Sequence, residues 1–86
     1  MPYTVDLKPP AKRQYAYWKK RNARVADKID ELLEAMETDP FRGIGKPEPL
    51  KGAQHGFWSR RITEEHRMVY DVEGDRVVVY GCYGHY

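Results

Sequence analysis

Arginine, histidine and tyrosine residues recur in the last third of the chain, at spacings that would bring their side chains together on one face of a β-sheet. Arg61 and Arg67 lie in two stretches that alternate apolar and polar residues, and Tyr83 and His85 lie close to the end. Successive side chains of a strand point to opposite faces of its sheet. Guanidinium groups suit phosphate oxygens, and aromatic rings stack on unpaired bases. The pattern therefore predicts an RNA-binding face.

The neighbours of these residues indicate which face they occupy. The apolar phase of the two stretches is formed by Trp58, Ile62, Met68, Tyr70 and Val72. These side chains should meet the core, so Ser59, Arg61 and Arg67 should point away from it. At the end of the chain, Cys82 is in one phase, and Tyr83 and His85 are in the other.

Each candidate residue also has a structural explanation, and the residues alone leave the choice open. Arg61 could form a surface ion pair with one of the glutamates that follow it, and His85 could simply be a terminal residue. Glu48 could be a solvated loop residue. His55 lies in a glycine-bearing loop, which favours neither a structural nor a functional role for it. His66 follows two glutamates at a predicted turn, which indicates a structural role.

Composition predicts a single domain, 1–86, in a reducing compartment. The 86 residues are 41% hydrophobic, 33% charged and 13% aromatic, which is typical of a folded domain rather than a disordered chain. The longest apolar run, 77–80, is too short to span a membrane, and no signal peptide is visible. The single cysteine favours the cytoplasm. Three histidines without ligand spacing predict no metal site, and we expect no cofactor.

The order of apolar patterns predicts an α+β fold. An N-terminal strand around Val5 precedes two amphipathic helices that form a hairpin at Asn22, and Asp39-Pro40 ends the second helix. A loop over 39–49 should lack regular structure because of its prolines and glycines. Strands over 57–62, 66–72 and 76–83, with a short strand near Leu50, should then form an antiparallel sheet. Both helices should cover one face of that sheet.

The net charge of +2 hides a marked asymmetry along the chain. Residues 8–28 contain eight lysines and arginines against one aspartate, whereas residues 29–48 contain six acidic residues against two basic ones. A basic segment of this density suits a polyanion or an acidic partner, although a solvated helix face would look the same.

Three stretches resemble a known family. "GKPEPLKG" (45–52), "FWSRRITEEHRMVYDV" (57–72) and the final "GHY" (84–86) are similar to the YoeB toxins of the RelE/ParE superfamily. The resemblance implies a RelE-like fold and a ribosome-dependent, metal-free endoribonuclease that cuts mRNA in the ribosomal A site. It also implies a YefM-like antitoxin as partner, and it leaves a homodimer open. ParE-like relatives, which inhibit DNA gyrase, are the alternative.

The resemblance also implies roles for individual residues. The catalytic positions of the family fall on Glu48, Arg67, His85 and Tyr86. Supporting basic positions fall on Arg61 and Lys51, and we expect His55 and Tyr83 to complete the RNA-binding set. In this scheme the glutamate and the histidine serve as base and acid, in an order that the residues leave open, while the arginines stabilise the phosphorane.

Overall fold

The computed structural model of the protein describes residues 2–52 and 56–82. Two helices and five strands follow one another along the chain: β1 (Thr4–Leu7), α1 (Pro9–Arg21), α2 (Ala23–Thr38), β2 (Glu48–Pro49), β3 (Trp58–Arg61), β4 (Arg67–Glu73) and β5 (Arg76–Gly81). The predicted α+β order is confirmed. Neither helix in these residues is long and apolar enough to cross a membrane.

The five strands form one sheet in the order β1-β5-β4-β3-β2. Strands β2 to β5 are an antiparallel meander, as predicted. The N-terminal strand β1, however, pairs with β5 in parallel, so the sheet as a whole is mixed rather than antiparallel. The helical hairpin separates β1 from the other four strands along the chain. Strand β1 is therefore not part of the meander, and it pairs with the free edge of β5 instead.

The helix boundaries follow from local chemistry. Pro9 and Pro10 occupy the first turn of α1, where proline needs no amide partner. Asn22 ends α1 and begins α2, and its side chain accepts a hydrogen bond from the amide of Val25 at 3.4 Å. The amide of Asp39 bonds to the carbonyl of Ala35, one turn back, where α2 ends.

The core lies between the helical hairpin and one face of the sheet. It contains buried residues from both helices and from β4 and β5, together with Ile62 and Cys82 beside the strands, and its fully inaccessible side chains include Ile29, Leu32, Met36, Met68 and Tyr70. Both helices therefore cover the same face, as predicted. We call the other face of the sheet the helix-free face.

The loop between α2 and β2 is more ordered than its composition predicts. The guanidinium of Arg60, fully buried, donates to the carbonyls of Asp39 and Arg42 at 2.7 Å each and of Ile44 at 3.0 Å. The last two residues of the predicted loop, 39–49, form strand β2, which contradicts the prediction that the loop continues to Pro49. Proline is tolerated there because β2 is an edge strand.

A β-bulge resets the phase of β5 near its end. Val69 pairs with Gly81, but its neighbour Tyr70 pairs with Val79, so β5 contains one extra residue between them. Val79 and Cys82 are consequently both in the core although they are three positions apart. The apolar run before the bulge has a different cause, since Val77, Val78 and Val79 are all buried and β5 is therefore covered on both faces there.

Candidate functional site

Arg61 and Arg67 lie directly opposite each other on β3 and β4. Both belong to the phase that points to the helix-free face, because their neighbours Arg60 and Met68 are buried on the helix side. Like charges in directly opposed positions of a sheet repel each other. Such a pair is therefore costly unless an anion lies between the two groups.

The turn that joins β3 and β4 holds the two arginines in this position. The amide of Ile62 donates to the carbonyl of His66 at 2.9 Å, and the hydroxyl of Thr63 accepts the amides of Glu65 and His66 at 3.1 and 3.0 Å. The turn is therefore closed by hydrogen bonds immediately beyond the arginine pair. This backbone order fixes the spacing of two side chains that would otherwise separate.

Neither arginine forms an ion pair with the residues that the structure describes. The salt bridges there join Arg42 to Asp39, and Arg76 to Asp6 and Glu73. The alternative that Arg61 pairs with a glutamate of the turn is thus wrong for the described residues. The Nε of Arg61 is buried and lacks a hydrogen-bond partner. The pair is chemically suited to bind the oxygens of a phosphate.

Glu48 lies on the same side of the site. It pairs with Ser59 across β2 and β3, and Ser59 precedes Arg61 by two positions on one strand face. Strand geometry places the Cα atoms of Glu48 and Arg61 about 8 Å apart. Glu48 is exposed at the sheet edge, so its carboxylate is open to a ligand. The register thus brings together Glu48, Arg61 and Arg67.

The other predicted site residues are placed only in part. Lys51 is exposed and follows Leu50, whose amide donates to the carbonyl of Phe57 at 2.8 Å. His55, Tyr83, His85 and Tyr86 lie outside the described residues. His66 packs its ring against Trp18 at 4.9 Å between centroids, in keeping with the structural role predicted for it.

Three buried polar atoms lack a hydrogen-bond partner in the described part of the chain, namely Ser59 Oγ, Arg61 Nε and Asp71 Oδ1. The register places all three residues on the helix-free face, where Asp71 lies opposite Val78. Buried polar groups are nearly always paired in native proteins. All three exceptions among the described residues therefore lie on the helix-free face.

Aromatic and acidic groups border this surface. The rings of Phe57 and Tyr80 meet edge to face at 5.3 Å, and the Tyr80 hydroxyl donates to Asp71 Oδ2 at 3.4 Å. Burial, followed by the charge of Glu73, raises the pKa of Asp71. Burial also raises the pKa of Tyr80, so this phenol stays protonated and remains a donor.

Helix α1 anchors the last described residue of the chain. The side-chain oxygen of Gln14 accepts the amide of Cys82 at 2.7 Å, and the indole of Trp18 donates to its carbonyl at 3.1 Å. Burial raises the pKa of the Cys82 thiol to about 12, which keeps it protonated and unreactive. Cys82 therefore contributes to packing, and its backbone connects α1 to the C-terminal residues.

Sequence reasoning missed Arg60. Its Nε donates to the hydroxyl of Tyr70 at 3.2 Å, and that hydroxyl donates to the carbonyl of Pro40 at 2.6 Å. Burial raises the pKa of Tyr70, although the adjacent guanidinium opposes this shift. The alternation that placed Trp58 and Ile62 in the core also placed Arg60 there, so the signal was present.

Within the described ranges, no group of His, Cys, Asp and Glu side chains could hold a metal ion.

Comparison with known proteins adds a family to this geometry. The sequence profile described as "YoeB-like toxin of bacterial type II toxin-antitoxin system" matches residues 8–86. Toxin YoeB of Escherichia coli K12 is 51% identical over 72 residues, which cover 84% of this chain and 86% of the relative. The chain belongs to the YoeB-like toxin family. The resemblance seen in its sequence is thereby confirmed.

Solved structures of YoeB toxins match the fold over nearly its whole length. A YoeB/ParE toxin from Agrobacterium tumefaciens is 42% identical with a TM-score of 0.88, over 96% of this chain and 99% of the other. A YoeB dimer from Staphylococcus aureus is 36% identical with a TM-score of 0.89, over the full length of both chains. A chain of a YoeB-YefM complex from Staphylococcus aureus is 37% identical with a TM-score of 0.86, again over both full lengths.

Proposed function

We propose that this YoeB-like toxin is an endoribonuclease that cuts mRNA in the ribosomal A site and thereby inhibits translation in the cytoplasm. The observation that carries the proposal is the pair of opposed arginines, Arg61 and Arg67, beside Glu48 on the helix-free face. Neither arginine is neutralised by the described residues. A phosphodiester would supply the missing anion and the scissile bond at once.

The proposed reaction begins with attack of a ribose 2′-hydroxyl on the adjacent phosphorus. Glu48 takes the proton of this hydroxyl as the P–O bond forms, and the arginine pair binds the phosphoryl oxygens that gain charge. The bond to the 5′-oxygen then breaks, and His85 protonates that oxygen. The products are a cyclic 2′,3′-phosphate and a free 5′-hydroxyl. We assign to Tyr86 the orientation of the reacting groups, and to Lys51, His55 and Tyr83 supporting contacts with the RNA.

Dependence on the ribosome follows from the size and charge of the protein. A chain of 86 residues with a net charge of +2 has little surface with which to hold free RNA. The exposed cations of α1 supply an additional contact, because Lys19, Lys20 and Arg21 form its last turn. We therefore assign ribosomal RNA binding to α1 and mRNA cleavage to the helix-free face.

The test is cleavage in a translating extract, with cuts mapped by primer extension. The wild-type protein should produce codon-positioned cuts. Single-turnover rates at saturating ribosome should fall about 10²–10³-fold for Arg67→Ala and about 10²–10⁴-fold for His85→Ala. Glu48→Gln should be impaired as well. Arg42→Ala is the matched control, since its side chain is 88% exposed and lies on the loop after α2, and it should cut normally. Intact mRNA together with inhibited gyrase would overturn the proposal in favour of a ParE-like activity.

A YefM-like antitoxin is the partner that we propose, as in the S. aureus complex. Its segment would cover the helix-free face and neutralise the arginine pair with acidic side chains. Hydrogen exchange on the complex should show protection at 57–70 and 80–86, and unchanged exchange there would place the antitoxin elsewhere. Light scattering of the free toxin would show whether it forms a dimer like the S. aureus relative.

A further inference from the structure

Ser59 occupies a position in which its hydroxyl is costly. The residue is completely inaccessible to solvent, and its Oγ has no hydrogen-bond partner in the described chain. A buried hydroxyl without a partner loses its hydration and gains nothing in return. Alanine would fill almost the same space without this loss. A role in the free, folded chain therefore does not explain the serine.

The partner that the hydroxyl could reach is the carboxylate across the strand pair. Ser59 lies directly opposite Glu48, and directly opposed residues of an antiparallel pair have Cβ atoms about 4.5–5.5 Å apart. An ionised carboxylate only accepts hydrogen bonds, and a serine hydroxyl donates one. Glu48 is exposed and forms no salt bridge with the described residues. The side chain of Glu48 is therefore not held away from the Ser59 hydroxyl by another charged group of the described residues.

The local backbone favours such a contact. Strand β2 contains only Glu48 and Pro49 at the edge of the sheet, with Pro47 before them, so the main chain around the glutamate has little freedom. The side chain of Glu48, in contrast, is held by nothing that the described residues supply. A hydrogen bond from the Ser59 hydroxyl, on the neighbouring strand β3, would restrict the side chain of Glu48.

We infer that Ser59 is a positioning residue for Glu48, whose carboxylate accepts a hydrogen bond from the Ser59 hydroxyl when RNA covers the helix-free face. The inference rests on the proposed function, in which Glu48 is the base. Bound RNA excludes water from the exposed carboxylate, and the serine then replaces one of the lost hydrogen bonds. The bond also aims the carboxylate oxygen at the 2′-hydroxyl of the substrate.

The decisive variant is Ser59→Ala, for which stability and activity should change in opposite directions. Removal of an unpaired buried hydroxyl should raise the unfolding temperature, by about 2–5 °C. The single-turnover rate at saturating ribosome should nevertheless fall by about 10- to 100-fold, the usual effect of losing a hydrogen bond to a charged group. The acid limb of the pH–rate profile should move to higher pH, because the hydrogen bond favours the ionised carboxylate. Ser59→Cys, which keeps a weak donor of similar shape, should recover part of the rate.

A double-mutant cycle with Glu48→Gln separates this inference from the function on which it rests. If Ser59 acts through Glu48, Ser59→Ala should slow the wild type but not the Glu48→Gln variant. A wild-type rate for Ser59→Ala, or an equal loss in both backgrounds, would overturn the inference while an impaired Glu48→Gln variant still supported the proposed function. A fully active Glu48→Gln variant would overturn the assignment of the base and the inference together.

Discussion

The indole Nε1 of Trp18 donates a hydrogen bond to the backbone carbonyl of Cys82 at 3.1 Å, inside the core. Gln14, one turn earlier in α1, accepts the amide of the same residue at 2.7 Å. Both backbone polar groups of Cys82 are thereby bound by α1, the helix whose last turn carries three exposed cations. The ring of Trp18 also contacts His66, which immediately precedes Arg67 on β4. Helix α1 therefore supports the helix-free face from behind at two points.

This anchor predicts that Gln14 affects cleavage although it lies on the helix side of the sheet. Gln14→Leu keeps the packing volume but leaves the Cys82 amide unpaired, which should lower the free energy of unfolding by about 1–3 kcal/mol. Cys82 directly precedes the C-terminal residues to which the proposed reaction assigns catalysis, so cleavage at saturating ribosome should slow more than ribosome binding weakens. Single-turnover rates and ribosome affinity would be measured well below the unfolding temperature. An unchanged rate in destabilised Gln14→Leu would show that the anchor is purely structural.

A second prediction concerns the buried guanidinium of Arg60. Four hydrogen bonds from this group hold Tyr70 and three carbonyls of the loop that leads to Glu48. Arg60→Met should leave those acceptors unpaired and lower the free energy of unfolding by about 3 kcal/mol or more. Tyr70→Phe removes only the hydroxyl and should cost about 1–2 kcal/mol. Urea unfolding measures both effects.

Arg42→Ala provides the comparison for Arg60, because it removes an arginine of the same loop whose side chain is largely exposed. Its effect should stay within about 0.5 kcal/mol. Should Arg60→Met unfold at the same urea concentration as Arg42→Ala, the loop would not depend on the guanidinium.

The exposed cations of α1 give a third prediction. Reversal of charge at Lys19, Lys20 and Arg21 should weaken ribosome binding and reduce the slope of log affinity against log salt by about two to three. The same change removes favourable charges from the last turn of the helix, so some loss of stability is expected. Arg76→Glu, on β5, controls for reversal of a single cation outside α1, although that arginine is paired with Asp6 and Glu73. An unaltered salt slope in the triple variant would assign ribosome binding to another surface.

The fourth prediction is a pH dependence of stability at Asp71. Burial raises the pKa of this carboxyl in the folded protein, so the folded chain binds its proton more tightly than the unfolded chain does. The fold therefore loses stability as the pH rises through the raised pKa. Asp71→Asn should raise the unfolding temperature at neutral pH and have little effect near pH 3. Thermal unfolding across this range measures the difference, and a gain that persists at low pH would point to a cause other than charge.

Local pattern alone determined much of this fold. Alternation identified β3 and β4 and assigned Met68 and Tyr70 to the core, because side-chain direction in a strand depends only on parity. The residues Asn22 and Asp39 marked the ends of the helices because their chemistry acts within one turn. The same parity placed Arg61 and Arg67 on one face, and the long strings shared with YoeB toxins pointed to the family before any geometry was known.

Only the tertiary structure decided how distant segments meet. The parallel pairing of β1 with β5, and the bulge that returns Cys82 to the core, depend on hydrogen bonds between residues far apart in the chain. Local propensity cannot report such pairings, because they are chosen by the packing of the whole sheet against the helices. The same holds for the pairing of Glu48 with Ser59 and for the anchoring of Cys82 on α1. The candidate residues could therefore be identified from the sequence, whereas the contacts between them depend on the register of the strands.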